Sequence, residues 1–288
     1  MFEPFLGVEA IRAGRLTRGQ LRARCTVVHP GVYVDNRAPR TLAVNMMAAW
    51  LWSGRRGVIS GRAAAALHGA QWIDDATPIE LIATHTRKRP GVIVHEEQIK
   101  PEEVCYVGEL PVSSPERTAL NLARWLPRDI AVTHLDSLAR ATGITEASVL
   151  ELAAQYPGVR GIRRARVALN LMDAGAQSPK ETWLRLLVID AGYERPKTQL
   201  PVTDGSTTAF IDLGWEEPKI GLDYEGDHHR TERRTYVNDI GRYSMIDGLG
   251  WIDLRVVAEH RRAFILHRLR AAFLQRGLQP PPSSAPWS

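Results

Sequence analysis

The chain has 288 residues, 44% hydrophobic and 24% charged, with a formal net charge of +5. This is the composition of an ordinary globular protein with room for two domains, and no apolar run approaches the roughly 20 residues a membrane-spanning helix needs. The opening MFEPFLGVEAIR lacks a basic stretch followed by an apolar one, and Cys25 and Cys105 fit no metal or redox spacing, so a cytoplasmic protein with reduced thiols and no membrane partner is expected. The positive balance permits a polyanionic partner without requiring one.

Residues 1–40 read as a short winged-helix-like unit. Residues 8–12 form a brief amphipathic helix, Thr17 caps a second, and residues 26–29 and 31–34 alternate as a hairpin around Pro30. Modules of this order place one helix in the major groove of DNA. Arg12, Arg15, Arg18, Arg22 and Arg24 would supply phosphate contacts, with Arg18 and Arg22 the candidates on the second helix. A structural cap on the next domain fits the same residues.

Residues 41–175 read as mixed α/β and then helical. Helices are expected over 41–52 and 60–69, the second capped by Ser60 and stopped by Gly69. Strands follow at 79–83 and 92–95, joined by the basic loop Thr86-Arg87-Lys88-Arg89, and another at 110–112. Ser114-Pro115-Glu116 opens a helix to Trp125, with further helices at 134–140 and 145–155. Residues 160–166 begin a very basic helix, with Arg163 and Arg164 facing either nucleic acid or solvent.

After a linker at 173–177, a domain over 176–277 begins with the capping signature Ser178-Pro179-Lys180-Glu181. Trp183, Leu184, Leu187, Val188 and Ala191 recur at helical spacing as a core stripe. A strand at 199–202 leads to the stretch 208–230, TAFIDLGWEEPKIGLDYEGDHHR, which reads as two strands around Glu217-Pro218-Lys219. The first strand carries Asp212 and the second Asp223 and Glu225, on one face because strand side chains alternate; Tyr224 turns to the other face. Paired as a hairpin, they bring three carboxylates together. Such acids repel and raise each other's pKa unless a cation lies between them, and hard divalent ions take such oxygens. A solvated hairpin edge is the alternative. A helix at 236–249, a strand at 250–257 and a helix at 262–275 complete the domain. Residues 278–288 are a Pro/Ser tail expected to be disordered.

Two resemblances follow from these motifs. The order helix with Glu, strand with Asp, strand with acid-x-acid, helix, strand, helix resembles the PD-(D/E)xK restriction-endonuclease-like fold. Ser178-Pro179-x-Glu181, Ile211-Asp212, Leu222-Asp223-Tyr224-Glu225-Gly226-Asp227-x-His229-Arg230, Asp239-x-x-Arg242 and Gly250-Trp251 resemble the DUF559 family, related to Vsr-like mismatch endonucleases. Upstream, Gly31-Val32-Tyr33, Ser60-x-x-Ala63-Ala64-x-x-Leu67-His68-Gly69 and Pro111-Val112-x-Ser114-Pro115-x-Arg117-Thr118 resemble the AbiEi antitoxin family. The first resemblance implies an α/β (α+β) chain and a Mg2+- or Mn2+-dependent endonuclease acting on DNA. Glu181, Asp212, Asp223, Glu225 and His229 would be catalytic, with Asp212, Asp223 and Glu225 on the metal. Arg230 and Arg242 would join Arg18, Arg22, Arg163 and Arg164 on nucleic acid. The sequence departs from the pattern at Glu225, where the wider fold often has lysine. Asp and Glu are also exchanged relative to the DUF559 order, which moves each carboxylate by about 1.5 Å. The second resemblance implies a non-catalytic DNA-binding regulator of antitoxin type, with a toxin partner and the nuclease fold kept as a scaffold. Function lives in the site, so the fold alone does not choose between them.

Overall fold

The computed structural model describes residues 3–84, 89–225 and 233–282, with the backbone only for 233–240. The fold is mixed α/β, with three sheets among the described residues. It divides into two compact units, Met1–Met172 and Asp173–Ser288. No described helix is long and apolar enough to cross a membrane.

The first unit opens with β1 (Phe5–Leu6), α1 (Gly7–Arg12), α2 (Arg18–Arg24), β2 (Cys25–His29) and β3 (Val32–Asp35). The three strands form an antiparallel sheet of order β1-β3-β2. Thr17 caps α2 reciprocally: its hydroxyl accepts from the Gln20 amide at 3.2 Å, and the Gln20 side chain accepts from the Thr17 amide at 2.9 Å. The expected boundary at residue 40 does not separate a core. Val32 packs in one apolar cluster with Leu42 and Met46 of α3 (Leu42–Trp52) and Ile59 of β4 (Val58–Ser60). So few residues cannot bury a sufficient core alone.

The cluster covers a five-stranded sheet of order β6-β5-β4-β8-β7, adding β5 (Ile79–Ile82), β6 (Val92–His95), β7 (Val104–Val107) and β8 (Leu110–Ser113). The strands β5 and β6, adjacent in sequence, pair in parallel, with Ile79 opposite Val92. Four more helices complete this unit after α4 (Gly61–Leu67): α5 (Pro115–Trp125), α6 (Arg128–Thr142), α7 (Glu146–Ala154) and α8 (Ile162–Asn170).

A buried polar network ties these layers together. Arg117, 1% exposed, donates to Glu103 Oε2 at 2.7 Å, to Glu97 Oε2 at 3.2 Å and to Asn121 Oδ1 at 3.3 Å. Arg124 holds both Glu97 oxygens, at 2.8 and 2.7 Å. Asn121 donates to Ser60 Oγ at 3.0 Å, which meets Ser113 Oγ at 3.0 Å, and His68 Nε2 reaches the Ser113 carbonyl at 2.7 Å. Ser60, expected as a cap of α4, makes no capping bond because its hydroxyl belongs to this network. Instead the buried Glu80 carboxylate accepts the Arg62 amide at 2.7 Å. Gly61 allows it: φ is +57°, and a Cβ there would lie 2.1 Å from Glu80 Oε2. Burial would raise the Glu97 carboxyl, but Arg124 and Arg117 together hold it below its ordinary value.

In the second unit, β9 (Lys197–Thr203), β10 (Thr208–Trp215), β11 (Ile220–Glu225) and β12 (Ile252–Val257) form a sheet of order β12-β11-β10-β9. The first three strands are antiparallel; β12 joins β11 in parallel after α10 (Arg233–Gly248). Leu184 and Leu187 of α9 (Pro179–Asp190) pack on Leu213, Leu222 and Leu254, together with Ile265 and Leu269 of α11 (Arg262–Gln275). A second cluster joins Leu200, Val202 and Ile211 to Ile246 and Trp251. The expected linker is packed rather than free: Asp173 Oδ1 accepts from Thr198 Oγ1 at 2.8 Å and from the Gly175 amide at 2.9 Å. The start of the expected tail is also placed, since Pro280 is buried and the Pro281 carbonyl accepts from Arg270 at 3.2 Å.

Arg117→Met leaves the buried Glu103 without its cation and the half-buried Glu97 with Arg124 alone. Breaking a buried pair in this way costs about 3–5 kcal/mol. The expected result is a lower denaturant midpoint with an unchanged slope, and partial recovery in Arg117→Met, Glu103→Leu. A single variant as stable as the parent would show that the network does not hold this unit together.

Candidate functional sites: a carboxylate chain and an arginine helix

The β10–β11 ladder runs from Trp215 opposite Ile220 to Leu213 opposite Leu222 and then gives way to side chains. The Asp212 amide donates to Asp223 Oδ1 at 2.8 Å, and the Tyr224 amide donates to Asp212 Oδ2 at 2.8 Å. Each carboxylate thus takes up an amide of the opposite strand that the ladder no longer satisfies. Glu181 lies in the first turn of α9, where its amide donates to Ser178 Oγ at 3.1 Å. Its Oε2 accepts from the Gln177 amide at 2.8 Å. Gln199 bridges the two acids, donating to Glu181 Oε2 and Asp212 Oδ1, each at 3.3 Å. Gln199 holds this position with φ +47°, an uncommon conformation for a side-chain-bearing residue. A continuous chain therefore runs Glu181–Gln199–Asp212–Asp223.

The electrostatics follow from this packing. Burial, then the charges of Asp223 and Glu181, push the Asp212 carboxyl up to about 7, against the opposing bonds from Tyr224 and Gln199. Burial also raises Asp223, although Arg242 bonds its Oδ2. Arg242 bonds the Phe210 carbonyl as well. Arg242, expected on nucleic acid, is thus the counter-charge of the carboxylates.

Glu225 is drawn elsewhere. Its Oε1 accepts from Tyr243 Oη at 3.2 Å and lies 3.5 Å from Arg255 Nε, whose guanidinium covers the Tyr243 ring. The expected trio Asp212, Asp223 and Glu225 is not assembled as one ligand set, and among the described residues no three His, Cys, Asp or Glu side chains form a metal-holding group. His229 and Arg230 lie outside the described residues, as does the side chain of Asp239. The structure adds Asp253, opposite Gly221 in the parallel ladder, with both carboxylate oxygens buried and without a hydrogen-bond partner. Burial and the Asp223 charge raise its carboxyl. Only the strand pairing brings Asp253 to this site; nothing in its own sequence neighbourhood marks it. Gln199 escaped notice for the same reason.

The arginine helix is α2. Leu21 alone is buried on it, while Arg18, Arg22 and Arg24 are exposed. None of the three has a carboxylate at ion-pair distance among the described residues. The neighbouring Glu9 is held by Arg55 at 2.7 and 2.8 Å, so it does not neutralise them. On α8, Arg163 is exposed. Arg164 instead donates to the Arg124 carbonyl and fastens α8 to the end of α5. Gly161 permits that approach, since a Cβ there would sit 2.8 Å from the same carbonyl.

The raised Asp212 pKa fixes the sign of a pH effect. The folded state holds this proton more tightly than the unfolded chain, so its stabilising contribution is complete below about 4 and lost as pH rises through about 7. Asp212→Asn removes the titration while keeping an acceptor for the Tyr224 amide. Its melting temperature relative to the parent should rise between pH 5 and 8, read by thermal denaturation across that range. A constant difference would show that Asp212 is ionised throughout.

Residues 11–171 match the AbiEi antitoxin C-terminal domain. Two relatives come from Mycobacterium tuberculosis: uncharacterized protein MT2308 of strain CDC 1551 / Oshkosh and uncharacterized protein Rv2248 of strain ATCC 25618 / H37Rv. Each is 27% identical over 235 residues, covering 81% of this chain and 85% of the relative. No solved structure matches significantly. The match at residues 11–171 spans more than half of the 288 residues and contains Ser60, His68, Arg117 and Thr118 of the buried network, so the chain belongs to the AbiEi antitoxin C-terminal domain family.

Proposed function

We propose that this protein is a non-catalytic DNA-binding regulator of antitoxin type, acting in the context of a toxin partner. The observation that carries the reading is α2, a capped helix beside a hairpin that presents Arg18, Arg22 and Arg24 without acidic partners among the described residues. Arginines held out in this way have their donors available for phosphate oxygens. Membership of an antitoxin family supports the same reading. The winged-helix-like order of α1, α2 and the β2–β3 hairpin gives α2 the place of a groove-facing element.

The test is affinity for duplex DNA as a function of salt. Each phosphate contact contributes about 0.9 to the slope of log affinity against log salt. Arg18→Ala with Arg22→Ala should weaken binding and lower the slope by up to about 1.8. An unchanged slope would remove α2 from the interface.

A second reading rests on the carboxylate chain: a metal-dependent endonuclease of PD-(D/E)xK type, related to DUF559 and Vsr-like proteins. Its specific support is the pairing of the part-buried Asp212 with the buried Asp223 across the strand end, where a nearby cation would relieve the raised Asp212 carboxyl. Hard oxygen donors suit Mg2+ or Mn2+, and the adjacent carboxylates Asp212 and Asp223 are the residues that would hold it, with water completing its shell. Such an ion supplies an activated water and charge stabilisation at phosphate. The chain's own part is to fix Asp212 against Asp223 through backbone amides and to orient Glu181 through Gln199. An ion bound only by the folded state stabilises it by about 2.7 kcal/mol at a hundredfold excess over Kd. On this reading, millimolar Mg2+ or Mn2+ raises the melting temperature, plasmid is cleaved, and Asp212→Ala abolishes both. On the regulator reading there is no cleavage with either ion.

A further inference from the structure

We infer that α11 of the second unit is a separate contact surface for the phosphodiester backbone of nucleic acid. From His260 to Ser288 the sequence contains five arginines, Arg261, Arg262, Arg268, Arg270 and Arg276, and no Asp or Glu. Four of the five, all but Arg268, are exposed. None has a carboxylate at ion-pair distance among the described residues.

What they touch is uncharged oxygen and ring faces. Arg268 Nη1 donates to the Arg255 carbonyl at 2.7 Å, Arg270 Nη1 donates to the Pro281 carbonyl at 3.2 Å, and Arg276 bonds the Gly250 carbonyl. Arg262 lies over the Trp183 ring, 5.8 Å from its centroid. These contacts orient the guanidiniums without neutralising them. Each keeps further N–H donors, since a guanidinium has five.

Helix stability does not account for the arrangement. Arg261 and Arg262 stand at the N-terminal end of α11, the positive end of the helix dipole, where cations are disfavoured. The inner face, Ile265, Leu269 and Ala272, is what anchors the helix to the core. On the outer side Phe264 is 47% exposed, with the Arg268 guanidinium 5.7 Å from its ring centroid. A cationic surface without internal counter-charge, carrying an exposed ring, matches a polyanion with flat bases better than a second copy of this chain. A second copy would oppose arginine with arginine.

The test uses the full chain and two probes of equal length, a DNA duplex and a single strand, titrated from low to moderate salt. Arg261→Ala, Arg262→Ala, Arg270→Ala together should weaken binding of at least one probe by about tenfold at low salt and reduce its slope by up to about 2.7. The probe that responds more identifies the source of the backbone. The triple Lys variant at the same positions should retain the slope, because it keeps the charge. Unaltered affinity in the Ala variant, at an unaltered melting temperature, overturns the assignment. So does polyglutamate competing as well as DNA of equal charge, which would make α11 a surface for acidic protein. The α2 variant Arg18→Ala, Arg22→Ala serves as a second background. If α2 is the sole contact, the α11 changes have no further effect there; if α11 contributes separately, the losses add.

Discussion

The first unit depends on one constraint: two arginines and Glu103 have been taken out of water together, with Glu97 half-buried beside them. Arg117 and Arg124 lie about two turns apart on one face of α5, and Glu97 and Glu103 come from the segment between β6 and β7. A buried charge is tolerable only when paired and hydrogen-bonded. The network therefore dictates where α5 lies against the sheet, how the 96–103 segment folds over it, and which side of α5 meets Ser60 and Ser113. Tyr156, after α7, closes the far end by bonding Glu103, and its phenol is pushed up to about 12 by burial and by that carboxylate. Ser60, His68, Arg117 and Thr118, four of the residues on which the family resemblance rests, are members of the network. They belong to the scaffold, whereas Arg18 and Arg22 stand exposed on α2.

In the second unit the governing feature is the place where β10 and β11 part. Once the backbone ladder stops, two amides need acceptors, and Asp212 and Asp223 supply them. This draws two acids together in a partly buried corner, with Arg242 as compensation and Glu181 linked through Gln199. The same geometry satisfies the backbone and stores electrostatic strain in Asp212. A carboxylate cluster of this kind is compatible with a scaffold whose acids close a strand end and with a cation site. The chemistry of the donors permits both, and the family assignment concerns the other unit.

The positive charge of the chain is distributed unevenly. The buried Arg117 and Arg124 are accompanied by Glu97 and Glu103, and the half-buried Arg242 by Asp223. On α2 and α11 it has no carboxylate at ion-pair distance among the described residues. A net charge of +5 is modest for 288 residues. The two helices, more than the total, are where the positive charge is concentrated without counter-charge among the described residues.

The sequence by itself determined what depends on chain neighbours. An apolar face marked α3 and helical periodicity α9, the Ser114-Pro115-Glu116 start marked α5, Thr17 and Ser178 were legible as caps, and the alternation around Glu217-Pro218-Lys219 specified a hairpin with Asp212 facing Asp223. These follow from side-chain spacing and backbone satisfaction within a few residues. The tertiary structure alone decided which distant groups meet. The parallel pairing of β5 with β6 replaced what adjacency in sequence suggests, and the pairing of β11 with β12 brought Asp253 to the carboxylates and turned Glu225 toward Arg255. Packing of helix on helix gave Arg164 to a carbonyl, and packing of α10 on the sheet gave Arg242 to Asp223. A charged side chain on an amphipathic pattern carries no local record of its partner. Desolvation makes the choice, because a guanidinium that loses water must find an oxygen, and which oxygen is within reach is set by the fold.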